Sequence, residues 1–305
     1  MFKVFCVILI LSLNSWSAET DGFTDRYQPV PDAMPVINQE IQNRIEKVLL
    51  KMNQKSNVCE WDQLNSELGS QLRRPINGEI ESFIMNSPLV PKSPIVFDNS
   101  IFKNVPAIYN LPLRLGMMIG IHMGAPIHHK GYLIGADKFG HFMDEGYYYY
   151  SLVHFWNLTL NDVLKLGDFS ETTYNGKWTG GIYSYADLSA NYDGYFFWKD
   201  ILGTPQDRHQ SKYFDCEKGL WRLKKPIDLA DYVSPAWDEG MNCNDFRTEG
   251  MAQGIDVTIV ELEQKNHKRY HCPVFPEKVS EMIVRYADQS SWVIQPKILE
   301  QIKNK

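Results

Sequence analysis

Asp137, His141 and Glu145 recur every four residues in DKFGHFMDEGYYYY, residues 137–150. On an α-helix they share one stripe with Asp144 and Tyr148. Carboxylates alternating with an imidazole suit general acid–base catalysis, and also metal ligation. The other faces carry Phe139, Phe142, Met143, Gly146, Tyr149, Tyr150 and Val153. Such a helix is expected to be mostly buried, so its polar stripe must meet water or other polar groups. A second polar line, Ser184, Asp187 and Asn191, runs at i, i+3, i+7. Ser184 and Asp187 have the form of a capping box. Asn191 lies mid-helix among aromatics and needs a partner, because an unpaired buried amide costs about 1–3 kcal/mol. The two polar lines are expected to face each other, with Gly194 allowing close approach.

Between them stands Glu171, near the end of a helix. The negative end of the dipole and burial both raise a carboxyl pKa there. Tyr174 and Trp178 are expected to shield it. A protonated carboxylic acid beside an aromatic wall suits glycoside hydrolysis. The catalytic candidates are therefore Glu171, Asp187, His141, Asp137 and Glu145. Tyr148, Tyr174 and Trp178 are candidates for stacking on sugar, and Thr179, Ser184 and Asn191 for polar substrate contacts. Two other readings stay open: a non-catalytic cluster that only fixes helix packing, and a metal-dependent hydrolase. HExxH and GxSxG are absent and His128-His129 lack diagnostic spacing, so no metal ligands and no cofactor are assigned.

Several elements must position these groups. Ile37, Ile41, Ile45, Val48 and Leu49 mark a helix over 36–54. Shorter helices are expected near 60–70 and 80–85, and a buried one over 112–124, stopped by Pro126. The site helices should run about 137–156, 160–174 and 184–201, with a short hairpin or glycine turn near 177–183. Beyond Gly203 the chain turns polar. Residues 226–245 read as a loop lying over the body, and 276–303 as a final helical stretch. The expected fold is mainly α, an irregular helical domain with a loop-rich, disulfide-bridged C-terminal part at about 204–305.

The 305 residues are 44% hydrophobic and 22% charged, with net charge −6. The pI is near 5.8. No basic stripe is visible, which argues against nucleic acid as a partner. Lys3, the apolar run at 4–13 and small residues to Ala18 resemble a secretory leader, 1–18, followed by one domain over 19–305. An exported product, periplasmic or secreted, with no stable membrane span after leader removal, is expected. Cys59, Cys216, Cys243 and Cys272 then allow two disulfides in three pairings. One bridge is expected within the C-terminal part, with Cys59 tying the N-terminal part to it.

DKFGHF at 137–142 and TGGIYSYADLSANYDGYFFW at 179–198 resemble a group of exported proteobacterial proteins with the pattern DKxGHF, Glu, TGxxSxADxxANxxGxxF. It falls on Asp137, Lys138, Gly140, His141 and Phe142, then Glu171. It continues on Thr179, Gly180, Ser184, Ala186, Asp187, Ala190, Asn191, Gly194 and Phe197. A shorter form is similar to YfiM-like and VanZ-like envelope proteins. The resemblance covers about 110–245 and implies a cell-envelope setting without a reaction. The order helix, Glu near its end, glycine turn, helix is similar to the core of lysozymes and lytic transglycosylases, whose Glu is a general acid. The combined expectation is a lysozyme-like envelope glycan hydrolase acting on peptidoglycan, native or deacetylated, or another envelope glycan.

Overall fold

A computed structural model describes residues 20–56, 58–73, 78–93, 97–109, 123–173, 176–178, 180–204 and 211–303. The leader at 1–18, most of 112–124, Tyr174 and Thr179 lie outside them.

The described chain is mainly helical. Helix α1 (Met34–Lys55) buries Ile37, Ile41, Ile45, Val48 and Leu49 along one face. Helix α2 (Trp61–Leu72) packs on it through Leu64, Leu68 and Leu72, and α3 (Glu79–Asn86) follows. An antiparallel hairpin then pairs β1 (Pro126–His129) with β2 (Tyr132–Gly135). Its two-residue turn uses positive φ at Lys130 and Gly131, the twist that suits tight hairpins. Pro126 thus opens a strand.

The expected helix over 137–156 is one rod in three parts: α4 (Asp137–Gly140), a π-helical turn (His141–Glu145) and α5 (Gly146–Trp156). Helix α6 (Leu160–Thr172) starts at a Thr159–Asp162 capping box. Helix α7 (Tyr185–Leu202) starts at Ser184, whose Oγ accepts the Asp187 N–H at 3.2 Å. The π turn and α5 lie along α7. A Cβ on Gly146 would come within 2.5 Å of Gly194 Cα, and one on Gly194 would overlap the Phe142 carbonyl. Only glycine permits this contact.

Residues 176–178 and 180–181 are in turns, with φ +84° at Gly181, as expected for a glycine turn near 177–183. The strand after it, β3 (Ile182–Tyr183), pairs with distant β6 (Asp245–Phe246). A second hairpin joins β4 (Phe214–Glu217) to β5 (Leu220–Leu223). The C-terminal part holds an element that the sequence reading did not anticipate, the 18-residue α8 (Glu249–Asn266). Met251, Ile255 and Ile259 on it join a smaller core with Phe23, Phe102 and Val105. Its apolar stripe is thin and includes buried Thr258, which weakens the periodic signal. The final stretch is broken into α9 (Val279–Tyr286), α10 (Ser290–Val293) and α11 (Pro296–Lys303). The first break falls at Ala287, which has positive φ, and Pro296 starts the last piece.

Disulfides join Cys59 to Cys216 and Cys243 to Cys272. The first ties the N-terminal helices to the C-terminal part; the second lies within that part. Among the described residues no helix is long and apolar enough to cross a membrane.

Candidate functional site

Three consecutive features of the rod create a charged interior. Asp137 lies in the first turn of α4, Lys138 follows, and His141 opens the π turn; each is at most 2% exposed. In that turn Gly146 N–H reaches back five residues to the His141 carbonyl. Such single turns are rare and frequent at functional sites, because they re-aim neighbouring side chains. The Trp198 indole donates to the Met143 carbonyl at 2.8 Å and braces the turn against α7.

Lys138 is the centre of the first half of the site. Its Nζ lies 2.6 Å from Asp137 Oδ2, 2.5 Å from Asp187 Oδ1 and 2.6 Å from Glu239 Oε1. Lysine is almost never fully buried unless paired. Burial by itself would pull its pKa down, but the Asp137, Asp187 and Glu239 carboxylates hold it well above the usual value. Thr20 Oγ1 donates to Asp137 Oδ1 at 2.7 Å. Asn244 Nδ2 donates to Glu239 Oε2 at 2.9 Å.

The second half is His141, Glu171 and Asp187, which come from the π turn, the last turn of α6 and the first turn of α7. A donor atom of each lies within 4.8 Å of the others. His141 Nε2 is 3.3 Å from Asp187 Oδ2. The Ser184 N–H donates to Glu171 Oε2 at 3.4 Å. Gly176 has no side chain where a Cβ would crowd Glu171 Oε2 at 2.8 Å. The Asn191 amide lies 3.1 Å from His141 Nδ1. Turned with its nitrogen inward, it also donates to the Asp187 and His141 carbonyls, at 3.2 and 3.3 Å. An imidazolium would need the opposite orientation, with Asn191 Oδ1 accepting from Nδ1–H. The charge on His141 and the orientation of Asn191 are therefore linked.

The charges do not balance. Asp137, Asp187, Glu239 and Glu171 share a buried cluster with two cationic groups, Lys138 and His141. Burial pushes Glu171 up to about 8, and Asp187 adds to this while His141 opposes it. Burial likewise pushes Glu239 up to about 7 against the pull of Lys138. Burial would also raise Asp187, but His141 and Lys138 hold it below its usual value. For His141, burial lowers the pKa, but Asp187, Glu145 and Glu171 carry it up to about 9. Near neutrality the cluster thus holds a protonated Glu171 beside an ionised Asp187. This is the pairing of environments that separates an acid from its partner base.

Of the residues singled out in the sequence, the structure gathers Asp137, His141, Glu171, Ser184, Asp187 and Asn191. Glu145 sits at the edge, its Oε2 3.9 Å from His141 Nδ1. Tyr148 is half-buried on the following turn. Trp178 is 69% exposed, so it is not the wall that shields Glu171. Glu171 is itself 2% exposed, and the chain at 176–178 folds back over the end of α6, with Lys177 N–H donating to the Glu171 carbonyl and Trp178 N–H to the Thr173 carbonyl. Sequence reasoning did not select Lys138, Glu239, Thr20 or Glu81. Lys138 was visible in the DKFGHF stretch but reads as a surface lysine. Glu239 lies in PAWDEGMNCND, where an acidic pair between Trp and Gly was the only cue. Burial pushes Glu81 up to about 8, with Asp137 adding to it; its carboxylate occupies the space a side chain on Gly140 would fill.

Comparison of the chain with protein-family models, curated proteins and solved structures finds no match.

Proposed function

We propose that the protein is an exported, lysozyme-like envelope glycan hydrolase that cleaves peptidoglycan, in its native or deacetylated form, with Glu171 as general acid. One observation carries this reading: the Glu171 and Asp187 carboxyl groups lie within 4.8 Å and are driven to opposite protonation states. Retaining glycosidases hold their two carboxyl groups about 5–5.5 Å apart, and inverting ones about 6.5–9.5 Å. With an oxygen of each within 4.8 Å of the other, the pair lies close enough for two such carboxyl groups to cooperate. Once the edge at Asp187 and Glu145 opens to substrate, Glu171 donates its proton to the glycosidic oxygen as the bond to the anomeric carbon breaks. Asp187, ionised and oriented by Lys138, stabilises the positive sugar that results. Water then adds at that carbon and returns a proton to Glu171. His141 and Asn191 hold Asp187 and its helix in register.

The cluster comes nearest to solvent at Asp187 and Glu145, whose side chains are 10% and 12% exposed. Substrate approaches from that side, where Tyr148 offers a stacking face; exposed Trp178 offers another. Two disulfides fit an oxidising compartment, and with the leader-like N-terminus they support a periplasmic or secreted site of action. The DKxGHF resemblance supports the envelope setting.

Digestion of purified sacculi tests the reading. The mature protein should release soluble fragments from acetylated or deacetylated walls. Glu171→Gln should retain the fold and lose about 10²–10⁴-fold in rate, the usual contribution of a positioned acid. Untouched walls of both kinds, or a variant as active as its parent, would end the proposal.

A further inference from the structure

We propose that His141, Glu171 and Asp187 form a binding site for a zinc-class divalent cation. Two groups of three donors in this interior are close enough to surround an ion, and they differ in one respect. Asp137, Asp187 and Glu239 already surround a cation, because Lys138 Nζ lies 2.5–2.6 Å from an oxygen of each. His141, Glu171 and Asp187 form the second group, which contains an imidazole and no lysine.

Asp187 belongs to both groups and divides its oxygens between them. Oδ1 faces Lys138 at 2.5 Å, and Oδ2 faces His141 Nε2 at 3.3 Å. Lys138 thereby fixes the carboxylate plane and presents Oδ2 to the second group. The Asn191 amide at 3.1 Å from Nδ1 orients the imidazole. With its oxygen inward it accepts Nδ1–H and leaves the Nε2 lone pair facing Asp187 and Glu171. Metal-bound histidines are commonly held by such an outer partner. Glu171 is the adjustable ligand, since its contact to Ser184 N–H is long, at 3.4 Å. An ion about 2.0–2.2 Å from each ligand needs donor atoms about 3.3–3.6 Å apart. From the 4.8 Å limit this is a contraction of at most about 1.2–1.5 Å, which a side-chain rotation of Glu171 would supply.

The donor set selects the class of ion. One imidazole nitrogen and two carboxylate oxygens suit zinc and its transition-metal neighbours, whereas magnesium and calcium prefer all-oxygen shells. The four cysteines of the described chain are in disulfides, so thiolate ligation is not in competition. Three protein ligands leave a fourth position open. A regulatory consequence rests on the hydrolase reading: an ion held by Glu171 and Asp187 occupies the two carboxyl groups that would face the glycan, so the loaded protein does not cleave.

The experiment begins with metal-free mature protein titrated with Zn²⁺ against a chromophoric chelator. One equivalent should bind. His141→Ala and Asp187→Asn should weaken binding at least 100-fold, and Asn191→Ala about 10-fold or more, in the range of outer-partner losses. His271→Ala, an exposed histidine far along the chain, should change nothing. X-ray absorption of zinc-loaded wild type should show one imidazole with oxygen ligands, and this needs no variant to fold. Absence of binding, a spectrum with two or more imidazoles, or full affinity in folded His141→Ala overturns the site. Sacculus digestion with zinc and with EDTA separates the two ideas. Zinc that suppresses release, with EDTA restoring it, supports the regulatory consequence. Release that requires zinc keeps the metal site and overturns the proton-donor reading. Walls left intact in every state overturn the hydrolase, while the titration still decides the site.

Discussion

Asp238 and Glu239 are neighbours in the chain and both are buried, yet they belong to charged regions built on different rules. Asp238 faces one guanidinium. Arg26 Nη1 donates to Oδ2 at 2.8 Å and Nη2 to Oδ1 at 2.5 Å, and the backbone N–H groups of Leu133 and Gly240 complete the shell. One charge meets one charge in bidentate geometry, and every Asp238 oxygen is used. Glu239 instead shares Lys138 with two other carboxylates, and Glu171 lies beyond them. That region has more acids than cations and must keep protons to stay folded. A matched pair pins the N-terminal segment to the loop over the body; an unmatched cluster stores exchangeable protons. Only the second can take part in acid–base chemistry.

The comparison breaks most easily at its cations. Arg26→Met and Lys138→Met should each destabilise the protein by about 3–5 kcal/mol, the usual loss when one partner of a buried pair is removed. Urea unfolding of Lys138→Met should also depend on pH. The stranded carboxylates around Lys138→Met would rise in pKa in the folded state, so its deficit should shrink as pH is lowered from 8 to 5. Equal and pH-independent losses in the two variants would erase the distinction drawn between them.

A smaller effect isolates the stored proton on Glu171. Its folded pKa, about 8, lies above the ordinary 4.5. The folded state then keeps a proton that the unfolded chain has released. The stability this contributes is fully present below about pH 4.5 and is lost as pH rises through about 8. Wild type should therefore lose up to about 1.4 kcal/mol per pH unit from this group within that window. Glu171→Gln mimics the neutral acid, so it should match wild type near pH 4.5 within about 1 kcal/mol, exceed it by about 2 kcal/mol near pH 6, and show a flatter pH profile. Glu239 and Glu81 titrate in both proteins and drop out of the difference, whereas His141, which Glu171 helps to raise, is followed separately by its imidazole NMR titration. Parallel profiles would mean that Glu171 holds no proton.

The smallest effect concerns the surface. Trp178→Ala should alter stability by no more than about 0.5 kcal/mol, as for most exposed positions. If its ring stacks on glycan, the same variant should raise KM on sacculus fragments with little change in kcat. An unchanged KM would remove Trp178 from the substrate path.

The helices that carry the site were readable because their apolar residues repeat at helical spacing and their ends carry recognisable caps, as at Thr159 and Ser184. The facing of His141 with Asp187 and Asn191 followed from two polar lines that each needed partners. The shielding of Glu171 was misjudged. Trp178 is close in sequence, but with its backbone N–H bound to the Thr173 carbonyl its side chain faces outward. Helix α8 was missed because its buried face mixes Thr258 and glycines with few apolar residues. Lys138 was missed because its burial depends on Asp187, 49 positions away, and Glu239, 101 positions away.

By itself the sequence determined the helical segments that carry the site, which positions on them are polar, and which cysteines were available to bridge. These are local properties of spacing and residue type. Tertiary structure alone decided that the loop after Trp237 brings Glu239 to Lys138, that β3 pairs with β6, and that Asp187 serves two groups at once. Those outcomes depend on contacts between distant residues in a low-dielectric interior. There, a carboxyl group's charge is set by what surrounds it in space, and neighbours in the chain have little say.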